Sequence, residues 1–178
     1  MNKPYQVTPD IYVLPSFFSI PGIGTLPVNA FVILAEEPVL VDTGAGMDSE
    51  DFLKALQSVI SPSDLRWVWL THDDSDHTGS IDRVLELAPR ARLLTHALGA
   101  LRMSLGWPLP LDRVYALGRG ESIGVGDRKL TAIKPPLFDN PVTLGIYDDK
   151  SRALFSADSF GAILPGQGTD AGGGVFCG

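Results

Sequence analysis

Thr71-His72-Asp73-Asp74-Ser75-Asp76-His77-Thr78-Gly79-Ser80 sets two imidazoles and three carboxylates within the six positions from His72 to His77. Neutral His and ionised Asp are costly to bury unpaired, so such a cluster directly after the apolar run Trp67-Val68-Trp69-Leu70 points to a divalent metal. The order His-x-Asp-x-Asp-His falls where a strand should end and a helix begin, a place where loop side chains can converge on one ion. A polar turn with Asp76 or Thr78 capping the next helix is the plain alternative, but a cap needs one such residue.

Working outward, the upstream chain alternates strand and helix. Val7 to Leu14 and Val28 to Leu34 are rich in β-branched and aromatic residues and bounded by Pro and Gly, as strands are. Pro15 to Pro27 reads as an irregular hairpin loop carrying Phe17, Phe18, Ile20 and Ile23, either roofing a pocket or lying in a dimer interface. Pro38 to Val41 is a buried strand ending in Asp42-Thr43-Gly44-Ala45-Gly46, where Asp42 could hold a ligand loop or a metal-bound His. Asp48 or Ser49 caps a helix with the apolar face Phe52, Leu53, Leu56, Val59 and Ile60, and Pro62 ends it.

Downstream of the motif, Ile81, Val84, Leu85 and Ala88 recur at helical spacing up to Pro89. Ala91 to Thr95 is a further strand, with His96 beyond it as a surface or cap residue or a more remote metal ligand. Ala97 to Leu105 reads as a short helix and Trp107 to Pro110 as a fixed loop. Short strands follow: Val114 to Ala116, Lys129 to Ile133, Val142 to Tyr147 and Ala153 to Ser156. The last runs into Asp158, so acids or imidazoles stand at the C-terminal ends of three strands, with Asp42, His72 and Asp158 on a plausible common edge.

Composition narrows the partners. The 178 residues suit one domain of residues 1–165 with a glycine-rich tail, 166–178, that reads as flexible. A net charge of -7 argues against nucleic acid. Cys177 is the only cysteine, which leaves no disulfide framework or cysteine-held metal. No stretch reads as a signal peptide or membrane span, so the expectation is a soluble, cytoplasmic protein.

Asp42-Thr43-Gly44, the Thr71–Gly79 motif and Leu154-Phe155-Ser156-Ala157-Asp158-Ser159-Phe160-Gly161, in this order and at these intervals, resemble the metallo-β-lactamase superfamily. Asp74 and the Leu-Phe-Ser-x-Asp-x-Phe-Gly ending are most similar to the diiron domain of flavodiiron oxygen and nitric oxide reductases and related diiron sensors. The resemblance implies an α/β fold, an αβ/βα sandwich with metals at one edge of two facing sheets. It implies that His72 and Asp74 bind a first metal, Asp76 and His77 a second, and that Asp158 bridges both, with Asp42 supporting the ligands. A carboxylate at Asp74 shifts preference toward iron, with zinc or manganese as alternatives.

The sequence departs from that family twice. Phe138, in Pro135-Pro136-Leu137-Phe138-Asp139-Asn140-Pro141, stands where the family has a His, and Asp139 is a possible substitute ligand or simply part of a turn. The C-terminal half is also short of the family's further helices, strands and final His. The implied site is therefore weakened, at two metals or one. Three functions follow: a diiron oxidoreductase or O2/NO sensor fed by an external electron donor; a zinc-dependent hydrolase of an ester, thioester, lactam or phosphodiester, with Asp76 or Asp158 orienting the water; or a degenerate binding module. A homodimer covering the open sheet edge is expected, and Phe17, Phe18, Trp107 and Leu109 are the expected pocket roof.

Overall fold

The computed structural model describes residues 3–165, so the glycine-rich tail lies outside the described residues. Seven strands form one sheet in sequence order: β1 (Tyr5–Thr8), β2 (Ile11–Ile20), β3 (Gly24–Ile33), β4 (Val39–Val41), β5 (Trp67–Trp69), β6 (Arg92–Thr95) and β7 (Val114–Ala116). The first four pair antiparallel and the last four parallel. Parallel neighbours need crossovers, and these carry the helices α1 (Ser49–Val59), α2 (Ser75–Thr78), α3 (Ile81–Leu87) and α4 (Ala97–Gly106). A second, antiparallel sheet is built from β8 (Ser122–Gly124), β9 (Lys129–Ile133), β10 (Gly145–Asp148) and β11 (Ala153–Phe155), in the order β11-β10-β9-β8.

Side-chain alternation sorts the apolar residues into two cores. Leu14, Ala30, Val32, Leu40, Val68 and Leu93 face the helices and pack on Phe52, Leu56, Val84 and Leu85. Their neighbours Val13, Phe31, Ile33, Val41, Trp69 and Leu94 face the second sheet and pack on Leu130, Leu144, Ile146 and Phe155. Covered on both faces, β4 and β5 read as continuous apolar runs, as central strands of such sheets do. The layers are thus helices, sheet, sheet: a mixed α/β sandwich of metallo-β-lactamase type. Among the described residues no helix covers the outer face of the second sheet, and none is long and apolar enough to cross a membrane.

Residues 15–27 overturn the irregular loop expected there. β2 and β3 pair without interruption from Ile11↔Ile33 to Ile20↔Gly24, leaving only 21–23 as the turn. Pro15 and Pro27 are tolerated because β1 reaches only to Val13 and β4 only to Phe31, so beyond them the hairpin has an edge without a neighbouring strand. The expected strand from Val7 is split by a turn at Pro9-Asp10. The three-residue strand β8 escaped the sequence reading.

Candidate metal centre

Three strand ends deliver the site. β4 ends at Val41 and hands the chain to Asp42; β5 ends at Trp69, and His72 follows two residues past Leu70; β11 ends at Phe155, and Asp158 follows from the facing sheet. The loop after β4 is laced to the motif by backbone hydrogen bonds, Asp42 N to Trp69 O (2.8 Å), Thr43 N to His77 O (2.7 Å) and Gly79 N to Gly44 O (2.8 Å). Gly79 is required: a Cβ there would lie 2.0 Å from Gly46 N. Asp42 itself is held in the left-handed region, φ 58°, which Asp tolerates better than most residues.

Asp158 is the meeting point. Its Oδ2 stands 3.2 Å from His72 Nε2 and its Oδ1 3.1 Å from His77 Nε2, one oxygen for each imidazole. These three side chains bring their ligand atoms within 4.8 Å of one another. Asp74 Oδ2 adds a contact to His72 Nε2 at 3.4 Å and Asp76 Oδ2 one to His77 Nε2 at 3.7 Å. Asp158 sits on a turn with two strained neighbours, Ala157 (φ 52°) and Phe160 (φ 69°). Strain of this kind persists only where surroundings over-determine it; here Ser159 Oγ donates to Leu137 O, and Leu164 pairs with Thr25 on β3.

The outer hydrogen bonds fix the tautomers. Thr71 Oγ1 gives its hydrogen to Asp42 Oδ2 at 2.8 Å, so toward His72 Nδ1, 3.0 Å away, it can only accept. His77 Nδ1 donates to Asp42 Oδ2 at 2.9 Å. Both imidazoles therefore carry their proton on Nδ1 and aim an Nε2 lone pair at carboxylate oxygens. Two lone pairs against carboxylates at such distances repel unless a cation lies between, either a proton or a metal ion. His72 is 1% exposed and its Nε2 makes no hydrogen bond. The same field acts on protons: burial works against both imidazolium ions, yet Asp158 and Asp42 outweigh it and raise the His72 and His77 pKa values, that of His77 strongly. For Asp158 burial is likewise overcome, and the two imidazoles hold its carboxyl below the usual range. Among the described residues no Lys or Arg pairs with Asp74, Asp76 or Asp158, so the cations that can answer this charge are protons or a metal ion at the two Nε2 atoms.

All five side chains proposed as ligands, His72, Asp74, Asp76, His77 and Asp158, thus come together, with Asp42 behind His77. Asp139 is exposed and lies on the cavity wall, outside the cluster. Phe138 lies under two cations, with Arg119 5.3 Å and Lys134 4.9 Å from its ring. His96 caps α4 by accepting from Leu98 N at 3.2 Å. A cavity of ≈ 270 Å³ opens on Asp76, His77 and Asp158. Its walls are Leu26, Val28, Phe31, Phe155, Phe160 and Leu164, which corrects the expected roof. Phe17 and Phe18 lie outside that wall, Leu109 is buried in the helix-side core, and Trp107 packs against the same core. Thr71 and Asn140 were missed. Thr71 offered a signal, a hydroxyl between strand and first His. Asn140 offered none beyond its Asp-Asn-Pro turn.

Comparison with known proteins gives the family and the fold. The model of the ODP family beta lactamase matches residues 26–171, and the chain belongs to that family. A nitric oxide reductase of Moorella thermoacetica is 27% identical over 173 residues, covering 90% of this chain and 43% of its own. A putative diflavin flavoprotein A 2 of Nostoc is 31% identical over 135 residues, covering 75% of this chain and 23% of its own. The flavodiiron protein of Giardia intestinalis superposes with a TM-score of 0.82 at 18% identity, over 94% of this chain and 42% of that one, and so shares the fold. The chain spans less than half the length of these relatives. Its structural neighbours are flavodiiron proteins, with which it shares this fold.

Proposed function

We propose that the chain is a non-haem diiron module that reduces O2 or NO with electrons from an external donor. The observation that supports this most is the pair of Nε2 lone pairs converging on Asp158, at 3.1 and 3.2 Å, with no protein cation between. His72, Asp74 and Asp158 would hold one iron, and Asp76, His77 and Asp158 the other. Three donors apiece suffice for an open site but not for a closed one, so the affinity is lower than a fuller imidazole set would give. Bound iron would supply the one-electron chemistry that side chains lack. Carboxylates outnumber imidazoles in the set, which favours iron or manganese over zinc.

The chain's own residues do the rest. Asp42 and Thr71 keep the Nδ1 protons outward, so the Nε2 atoms stay available. Phe31 and Phe155, both buried, exclude water from one side of the cavity and suit a small uncharged molecule. Asp76, partly exposed beside His77, borders the cavity on its solvent side. Reduction of two NO to N2O and water consumes two electrons and two protons, and reduction of O2 to two waters consumes four of each. The names of the Moorella and Nostoc relatives favour NO as substrate and a flavoprotein-class donor. A soluble cytoplasmic homodimer is part of the same reading.

Single turnover tests this without any donor. The full chain, loaded anaerobically with ferrous iron and mixed with NO, should release N2O, measured by gas chromatography, or should take up O2 at an electrode. A ferrous-loaded chain that keeps its iron and leaves both gases untouched would sink the reading and bring the zinc hydrolase forward.

A further inference from the structure

Asn140, in the loop between β9 and β10, is 5% exposed and lies against the motif, where the sequence drew attention to Phe138 and Asp139 instead. Its amide is fully engaged. Nδ2 donates to Asp73 Oδ1 at 2.8 Å and to Asp74 Oδ1 at 2.9 Å, while Oδ1 accepts from Val142 N at 3.1 Å and Arg102 Nη1 at 3.3 Å. The orientation is fixed by chemistry: the reverse would set the amide oxygen against two carboxylates and its N–H groups against two donors.

The two neighbouring carboxylates are treated differently. Asp73 is paired with Arg102 Nε at 2.9 Å and its side chain is 4% exposed, so its charge is answered within the protein. Asp74 receives only the neutral amide on Oδ1, and its Oδ2 is left facing His72 Nε2 at 3.4 Å. A hydrogen bond to one oxygen of a carboxylate fixes its plane and leaves the other oxygen free to coordinate. The His77 half of the site draws its support from Asp42. The His72 half has no second carboxylate behind it and rests on Thr71 and this amide.

We infer that Asn140 is the positioning residue of the His72–Asp74 half of the site, holding Asp74 Oδ2 toward a metal ion. This rests on the dinuclear reading above and adds which residue supports which metal. Asn140 acts through Asp74 and touches no ligand of the other half.

The test uses Co2+ as probe ion, titrated anaerobically into the full-length chain and followed by calorimetry and visible absorption. In the wild type two binding steps are expected. In Asn140→Ala one step should lose about 10- to 100-fold in affinity, the loss seen when outer partners of ligands are removed, while the other step stays within a few-fold. Because Asn140 also caps the loop through Val142 N, a metal-free thermal melt accompanies each titration, and the change is repeated in an Asp74→Ala background. Acting through Asp74, Asn140→Ala should have no further effect on metal affinity there. Equal losses at both steps, or an undiminished effect without Asp74, would make Asn140 a merely structural residue and overturn the inference. Two wild-type steps unchanged in Asn140→Ala would overturn it alone; a wild-type chain that takes up no ion would overturn the dinuclear reading and the inference with it.

Discussion

Replacing Asp42 with Asn changes almost no volume and reverses the chemistry behind His77. The carboxylate is 3% exposed and accepts three hydrogen bonds, from Thr71 N (2.7 Å), Thr71 Oγ1 (2.8 Å) and His77 Nδ1 (2.9 Å). Oδ1 takes the backbone N–H, and Oδ2 takes the other two. An amide keeps one acceptor only. With its oxygen toward Thr71 N, the NH2 group meets His77 Nδ1 as a donor, and the imidazole must move its proton to Nε2, where it points into the site. The charge-assisted bond to His77 is worth about 1.5–3 kcal/mol. Loss of an outer partner costs about 10- to 100-fold in metal affinity, or roughly 1.4–2.8 kcal/mol. In a domain of this size about 2 kcal/mol lowers the melting midpoint by roughly 4–8 °C. Competition against a chromogenic chelator gives the affinity, and a melt of chelator-treated protein gives the stability. Unchanged affinity in Asp42→Asn would refute the tautomer assignment on which the site rests.

Gly79→Ala should destabilise the chain by about 3 kcal/mol in urea unfolding, because its Cβ would meet the backbone of Ala45 and Gly46; Gly106→Ala, with nothing within 4 Å, should cost nothing or stabilise slightly. Arg128→Met should cost about 3–5 kcal/mol, since it leaves Asp148, with a fully buried side chain, without its partner at 3.0 Å. Metal uptake should survive that change, because Asp148 pairs with Ala153 at the end of β10 and β11 away from Asp158. The same cluster sets an acid limit. Burial opposes the Asp10 carboxylate, but Arg128 outweighs it; Arg128, against a smaller burial effect, also holds Asp127 down. Both pKa values lie below the unfolded value, so this stability is complete above about pH 4 and is lost as pH falls further through the folded values. Melting midpoints measured from pH 7 to pH 3 should fall steeply only below that point, and less steeply in Arg128→Met.

Much of this was legible because it is local. Continuous apolar runs exposed β4 and β5, which are covered on both faces, and helical period exposed the helices α1 and α3, each of which buries one. The motif was legible because His72 to His77 carry their chemistry within one loop, and Asp42 and Asp158 because strand ends gather at a sheet edge. The hairpin at 15–27 was misread because Pro breaks a strand only where a neighbouring strand needs its missing N–H, and at Pro15 and Pro27 none does, so that only the glycines at 22 and 24 mark a turn. Asn140 and Arg102 were invisible because their partners, Asp73 and Asp74, lie tens of positions away in the chain and a turn explained Asn140 equally well. The cavity wall was misplaced for a similar reason: Phe160 and Leu164 reach it only because Leu164 pairs with Thr25 across the hairpin.

The proposed dinuclear iron site joins His72, Asp74, Asp76, His77 and Asp158. Its most direct test is element-resolved metal content by plasma mass spectrometry, on full-length wild type and His77→Ala expressed with iron, zinc and manganese all supplied. Iron at roughly two per wild-type chain, the stoichiometry of a two-metal site, is expected, with a clear loss in His77→Ala. A metal-free wild type, or His77→Ala retaining wild-type metal content, would contradict it.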